Sequence, residues 1–241
     1  MFTTLLAVLF ALLLVVGVPA LSHSTTRGSQ VRELPRVALY ASAVVSQWLL
    51  AAIGVGVVLL AARGVLTTSF RPVPPRAALA YAGAAAGLAL LALGLVIFLE
   101  QRGWLPPESD LVVLLVPQTT QEKIWSALIV APTAAACEEF LFRGFLLTEL
   151  TYWLHSTEWA WIVCSAAFGL AHSYQGWSGM IRAGLLGALL AYPVIQLGSL
   201  YPSMLAHWTI DAVVLVGLGR WLVRTNTPRI PRQGQQGLDS L

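Results

Sequence analysis

Charge is what this sequence has least of. Asp, Glu, Lys and Arg together make up 10% of 241 residues, against 57% hydrophobic residues, and the mean hydropathy is +0.75. Soluble domains carry about 25% charged residues, so the composition excludes a water-soluble globule and places the chain in a bilayer. The basic residues, in slight excess at a net +3, stand singly in loops and near the C-terminal end. That scatter suits membrane topology and offers no patch for nucleic acid, which is not expected as a partner. Cysteine is nearly absent. Cys137 and Cys164 both lie in apolar stretches, with no disulfide framework and no zinc-type spacing, and read as small buried hydrophobes. There is no HExxH helix, no GxSxG elbow and no pair of membrane aspartates. Ser165 and Ser178 have no neighbour that would activate a nucleophile. No internal repeat is visible.

What the chain has in abundance is long apolar runs. A hydrocarbon layer about 30 Å thick needs roughly 20 helical residues, and seven segments meet that need: 2–21, 38–62, 77–99, 122–150, 158–172, 176–198 and 201–224. A short eighth segment, Leu111–Val116, is a further candidate. Breakers separate them, among them Arg71-Pro72-Val73-Pro74-Pro75 and Leu105-Pro106-Pro107. The expected fold is all-α: one integral-membrane domain over 1–241, a polytopic bundle of seven or eight transmembrane helices around an intramembrane polar cavity, with a mobile polar tail at 225–241. Val18-Pro19-Ala20 resembles a cleavage site, but no positive region precedes it and the apolar run is long, so the first segment reads as an uncleaved span. Trp104, Trp153, Trp159, Trp177 and Trp221 fall near span ends, as an aromatic belt would. Arg220, Arg224, Arg229 and Arg232 place the C-terminus in the cytoplasm, whereas Arg63, Arg71 and Arg76 oppose the topology that seven spans then require.

Against that background six side chains are out of place: Glu138, Glu139 and Arg143 in CEEFLFRG, His172 in FGLAH, and His207 with Asp211 in HWTID. Each costs about 2.5–3.5 kcal/mol in hydrocarbon on insertion scales, so a compensating role is expected. Counted from the shared membrane face at ~1.5 Å per residue, Glu138 lies ~18 Å deep, His172 ~21 Å and Asp211 ~15 Å. His207 comes out at ~9 Å by the same rise and needs tilt or a dipping loop at Tyr201-Pro202 to join them. The fifth segment is short, so His172 ends deep in the membrane, where non-helical backbone requires a polar cavity.

Adjacent residues on a helix point about 100° apart, so Glu138 and Glu139 should have different jobs. Glu139 and Arg143, at i and i+4 with the acid first, form the natural ion pair, which leaves Glu138 to face a cavity as a general base. A purely structural polar clamp between helices is the alternative. Phe168 precedes His172 by one turn and gives an aromatic wall beside the imidazole. His207 and Asp211 share a helix face at i, i+4. His23 and His155 lie in loops without such company. Two mechanisms fit. In one, Glu138 assisted by His172 takes a proton from a water that attacks an amide carbonyl, with His207 stabilising the oxyanion. In the other, His172, His207 and a carboxylate, Asp211 being the candidate, hold a zinc ion, with Glu138 as base.

The ordered series EExxxR, FxxxH and HxxxD on separate spans resembles the CAAX protease and bacteriocin-processing family, also called Abi or type II CAAX prenyl endopeptidase-like, over about 122–215. The resemblance implies an intramembrane endopeptidase with Glu138, His172 and His207 catalytic and Glu139 and Arg143 supporting. Eukaryotic members remove the C-terminal tripeptide of prenylated proteins, and both glutamic and metal-dependent mechanisms have been assigned to the family. Those members carry asparagine where this chain has Asp211. The compact, loop-poor chain points to a bacterial plasma membrane, and the substrate is expected to be a peptide or membrane-protein segment, with a lipidated C-terminus as one form. A proton- or ion-coupled transporter and a catalytically silent immunity or scaffold protein are the rival readings; the former fits poorly with intramembrane charge confined, apart from Glu100, to one half.

Overall fold

The computed structural model describes residues 2–26, 29–61, 65, 69–107, 109 and 111–218. The proposed tail at 225–241, Arg63, Trp221 and the four C-terminal arginines that bear on orientation lie outside the described residues. Helices account for nearly all of what is described, with a single isolated bridge, Phe70 to Ser199, as the only extended pairing.

Seven long helical elements follow the apolar runs. They are α1 (Phe2–Leu12, continued through Leu13–Gly17 and Val18–Thr26), α2 (Arg36–Ala61) and α3 (Pro75–Gln101). Next come α4 (Thr120–Trp125, continued without a break to Leu147–Leu154), α5 (Thr157–Ala171), α6 (Gly176–Leu197) and α7 (Tyr201–Ala212, continued by Val213–Leu218). Leu111–Leu115 is a single short helical turn. Five of the described helices are long and apolar enough to cross a membrane: Phe2–Ser24, Arg36–Leu60, Pro75–Gln101, Thr120–Leu154 and Ser173–Leu197. The fifth and seventh segments expected from the sequence are helical but are not among these five. Many large apolar side chains point outward, Leu49, Leu59 and Leu91 among them. Such a surface would drive aggregation in water and is the ordinary one against lipid.

Local signals explain where the helices begin and end. Thr119 and Glu122 make a reciprocal capping box at the start of α4. Ser156 accepts from the Trp159 N–H to start α5, just after His155 turns the chain out of α4 in a left-handed conformation at φ 52°. Gly198, at φ 61°, ends α6. Arg71 donates to the Leu197 carbonyl there at 3.0 Å, and the Leu200 N–H bonds the Ser69 carbonyl at 2.8 Å, tying the α2–α3 connection to the α6–α7 turn.

Within α4, Pro132 cannot donate to the helix ladder, and the turn just before it, Ser126–Val130, is widened to i→i−5 bonding. A second widened stretch covers Glu139–Leu146, all of it buried. Such π-type turns cluster at functional positions in helices. Around α4 the bundle has two apolar clusters. One joins α1, α2, α4, α5 and α6 through Phe10, Val58, Leu141, Phe145, Phe168 and Ala191; Phe10 and Phe145 meet edge to face at 5.1 Å. The other is alanine-rich and joins α3, α6 and α7 through Ala82, Ala86, Ala89, Leu190 and Ile210. The tightest helix pair is α5 with α6. A Cβ on Gly169 would lie 2.8 Å from the Met180 carbonyl oxygen, so only glycine permits this approach.

Candidate functional site

The polar residues of three helices meet between those clusters. A cavity of about 280 Å³ is lined by Glu138 from α4, Phe168 from α5, His172 just beyond it, and His207 and Asp211 from α7, with Gln47 and Arg182 also on its wall. A larger groove of about 520 Å³ between α3, α5 and α6 is lined by Tyr81, Trp161, Tyr192 and small apolar residues. It holds no carboxylate or imidazole; those groups line the smaller cavity.

Glu138 and Glu139 diverge as neighbours on a helix must. Glu139 is wholly buried and accepts from Arg143 Nη1 at 3.1 Å and from His207 Nδ1 at 2.8 Å, both through Oε1. Arg143 is as buried; its Nη2 donates to the Gly187 carbonyl at 3.2 Å, and its guanidinium lies 4.1 Å from the centre of the Phe168 ring. A buried charge is tolerated when it is paired and hydrogen-bonded in this way. Phe168 is the hub of the apolar side, edge-to-face with Phe142 at 5.0 Å and 4.7 Å from the His172 ring.

The partners of each Nδ1 settle which ring nitrogen faces the cavity. A carbonyl only accepts, so His172 Nδ1, 2.8 Å from the Phe168 carbonyl, carries the hydrogen. A carboxylate likewise accepts, so His207 Nδ1 donates to Glu139. Both Nε2 atoms are thereby turned towards one oxygen, Glu138 Oε2, at 3.9 Å from His172 and 4.0 Å from His207. These separations exceed direct hydrogen bonds and suit a bridging water. A water about 2.8 Å from two groups 4.0 Å apart sees them at roughly 90°, an accessible angle for its donors and lone pairs.

The zinc expectation meets a different geometry. Imidazoles held at Nδ1 by a carbonyl and a carboxylate do have the outer partners of metal ligands. Yet among the described residues no group of three or more His, Cys, Asp or Glu is arranged to hold a metal ion. Tetrahedral bonds of 2.0–2.1 Å would bring ligand atoms to roughly 3.3 Å of each other; of the expected ligands, His207 Nε2 and Asp211 Oδ2 lie 3.6 Å apart.

Asp211 lies 3.6 Å from His207 Nε2, too far for a hydrogen bond, and the atom that fixes the ring belongs to Glu139. The remaining sequence candidates stay outside. His155 is exposed beyond the end of α4, and His23 is exposed on α1. Ser165 and Ser178 donate to the Trp161 and Pro106 carbonyls, which occupies both hydroxyls away from the cavity. Cys137 and Cys164 are buried, the latter with its thiol on the Phe142 carbonyl.

Three cavity residues escaped the sequence reading. Gln47 Nε2 donates to Glu138 Oε1 at 2.7 Å, Tyr174 stacks on His172 with ring centres 6.1 Å apart, and Arg182 lines the wall. An amide in the middle of an apolar run was the available signal for Gln47. Tyr174 lay at a span boundary, where such residues are ordinary, whereas Arg182, inside the span 176–198, was a charge in an apolar run that the reading passed over.

A family model, described as type II CAAX prenyl endopeptidase Rce1-like, matches residues 120–213. This is the family that the three motifs resemble, and the match runs from the first turn of α4 into the second half of α7. Comparison with curated proteins and with solved structures finds no match.

Proposed function

We propose, from the match of residues 120–213 to a family model described as type II CAAX prenyl endopeptidase Rce1-like, that this protein is an intramembrane endopeptidase in which Glu138 activates water. The observation that carries the reading is the facing of one carboxylate oxygen by two imidazole nitrogens at 3.9 and 4.0 Å inside a membrane-depth cavity. Glu138 takes a proton from the water, whose oxygen forms a bond to the scissile carbonyl carbon. His172 accepts a hydrogen bond from that water at Nε2 and so orients it. His207, as an imidazolium balanced by Glu139 and Asp211, donates Nε2–H to the oxyanion. Glu138 then returns the proton to the leaving nitrogen as the C–N bond breaks, giving a carboxylic acid and an amine. Glu139, Arg143 and Phe168 hold the frame.

The substrate we propose is a peptide or a membrane-protein segment, a lipidated C-terminus being one candidate class. We also read α5 and α7 as crossing elements, for seven spans in all, with the C-terminus on the cytoplasmic side of a bacterial plasma membrane. The exposed apolar side chains of α5, Trp159 and Ile162, and of α7, Trp208 and Val213, support placing both helices against lipid.

Purified protein in detergent, incubated with a peptide library that includes lipidated C-terminal peptides, tests the reading beside Glu138→Ala and His207→Ala. Cleavage abolished by both substitutions is the expected result, and cleavage unchanged in Glu138→Ala would overturn it. Ion flux in liposomes that the same substitutions remove, without proteolysis, would establish a transporter instead.

A further inference from the structure

We infer that Gln47, on a helix outside the family-matched segment, is a positioning residue for Glu138: it holds one carboxylate oxygen so that the other faces the two imidazoles. The inference rests on the reading of Glu138 as the base.

Gln47 lies 11 residues into α2, ~16 Å along its axis, in the middle of an apolar run. A primary amide there is costly without a partner. Nearby hydroxyls on the same helix satisfy themselves locally, Ser42 on the Leu39 carbonyl and Ser46 on the Ala43 carbonyl. Gln47 instead reaches across 91 positions of chain to Glu138 Oε1 at 2.7 Å, a length typical of a bond to an ionised acceptor. The second oxygen, Oε2, is the one that His172 and His207 face. The carboxylate therefore has a fixed division of labour, one oxygen anchored and one working.

An amide suits this place better than a hydroxyl or a cation. Its N–H donates to Oε1 of the carboxylate and, once Oε2 has taken a proton, to the same Oε1 as the carbonyl oxygen of the acid. Glu138 passes through both states when it takes a proton and returns it, and Gln47 can hold it in each. Because Trp48, the next residue, donates to Thr133 Oγ1 at 3.3 Å, the α2–α4 contact has a separate anchor beside the Gln47 bond.

The test pairs kinetics with a spectroscopic readout that needs no turnover. The carboxyl stretch of Glu138 is assigned by infrared difference spectroscopy as the band lost in Glu138→Gln, and followed in Gln47→Met. Loss of the donor shifts the frequency of that band, whereas an unchanged frequency overturns the pairing. On a fluorogenic peptide that the unsubstituted protein cleaves, Gln47→Met lowers kcat by roughly tenfold to a hundredfold, with KM within about twofold, the pattern of a misplaced catalytic group and not of lost binding. Gln47→Leu has a similar size and lacks the donor; it is expected to show the same loss and serves if Gln47→Met folds poorly. Wild-type kcat in both variants overturns the inference while leaving Glu138 as base. Cleavage surviving Glu138→Gln would remove the base assignment, and the infrared band would still report on the Gln47 contact.

Discussion

Glu139 Oε1 and His207 Nδ1 lie 2.8 Å apart across 68 positions of chain. Through this contact the residue next to the proposed base also sets the tautomer and direction of the imidazole opposite it. The same oxygen accepts from Arg143 at 3.1 Å, so the structural ion pair and the reactive face are mechanically one unit.

Glu139→Ala is therefore expected to lose both fold stability and activity. It strands the Arg143 guanidinium, and breaking one partner of a buried pair costs about 3–5 kcal/mol. Thermal unfolding in detergent measures this. Arg143→Lys should be nearly as damaging, because an ammonium cannot bond Glu139 and Gly187 in the fork geometry while lying over Phe168.

Glu138→Gln should separate chemistry from stability. The side chain sits on a cavity wall with 17% exposure and its replacement keeps the shape. The turnover number is expected to fall by about 10²–10⁴-fold, the range for a removed general base, with the unfolding temperature unchanged. An equal fall in both measurements would assign Glu138 to the frame.

Asp211→Asn should cost less activity than Glu139→Ala, since Asp211 lies 3.6 Å from Nε2 and does not hold Nδ1. The kinetic comparison of the two variants checks this ordering. Chelator added to the unsubstituted protein is expected to leave cleavage intact; loss with recovery on zinc would put a metal between His172, His207 and Asp211 and give Asp211 the larger role.

Gly169→Ala tests the α5–α6 approach. Its Cβ would lie 2.8 Å from the Met180 carbonyl oxygen, a backbone atom with little freedom to yield, and overpacking of this kind costs about 1–3 kcal/mol. Gly83→Ala, whose Cβ would meet nothing within 4 Å, is the control and should be neutral or slightly stabilising. Unfolding in detergent distinguishes them.

The apolar runs carry most of the helical plan because their physical cause is local. Backbone groups in hydrocarbon must bond within their own segment, so α2, α3 and α6 can be found by length and hydropathy alone. The starts of α4 and α5 have a local cause too, in Thr119 with Glu122 and in Ser156, although the apolar runs alone begin one or two residues late. The second widened stretch of α4, Glu139–Leu146, has no such local cause, since it depends on how Phe140, Arg143 and Phe145 are gripped from several sides.

For the site, composition and helical phase already separated Glu138 from Glu139 and paired Glu139 with Arg143, because an i, i+4 relation needs only one helix. Depth counting left His207 too shallow, at ~9 Å by rise per residue, because rise along an axis says nothing of tilt or of where α7 begins relative to α4. The bond from Glu139 to His207, the aim of both Nε2 atoms at one oxygen and the reach of Gln47 are relations between helices. The sequence by itself determined which residues are too polar for lipid and which helix each one rides on; only tertiary packing decided which of them meet, because that depends on crossing angles and rotations of α2, α4, α5 and α7 that no single helix encodes.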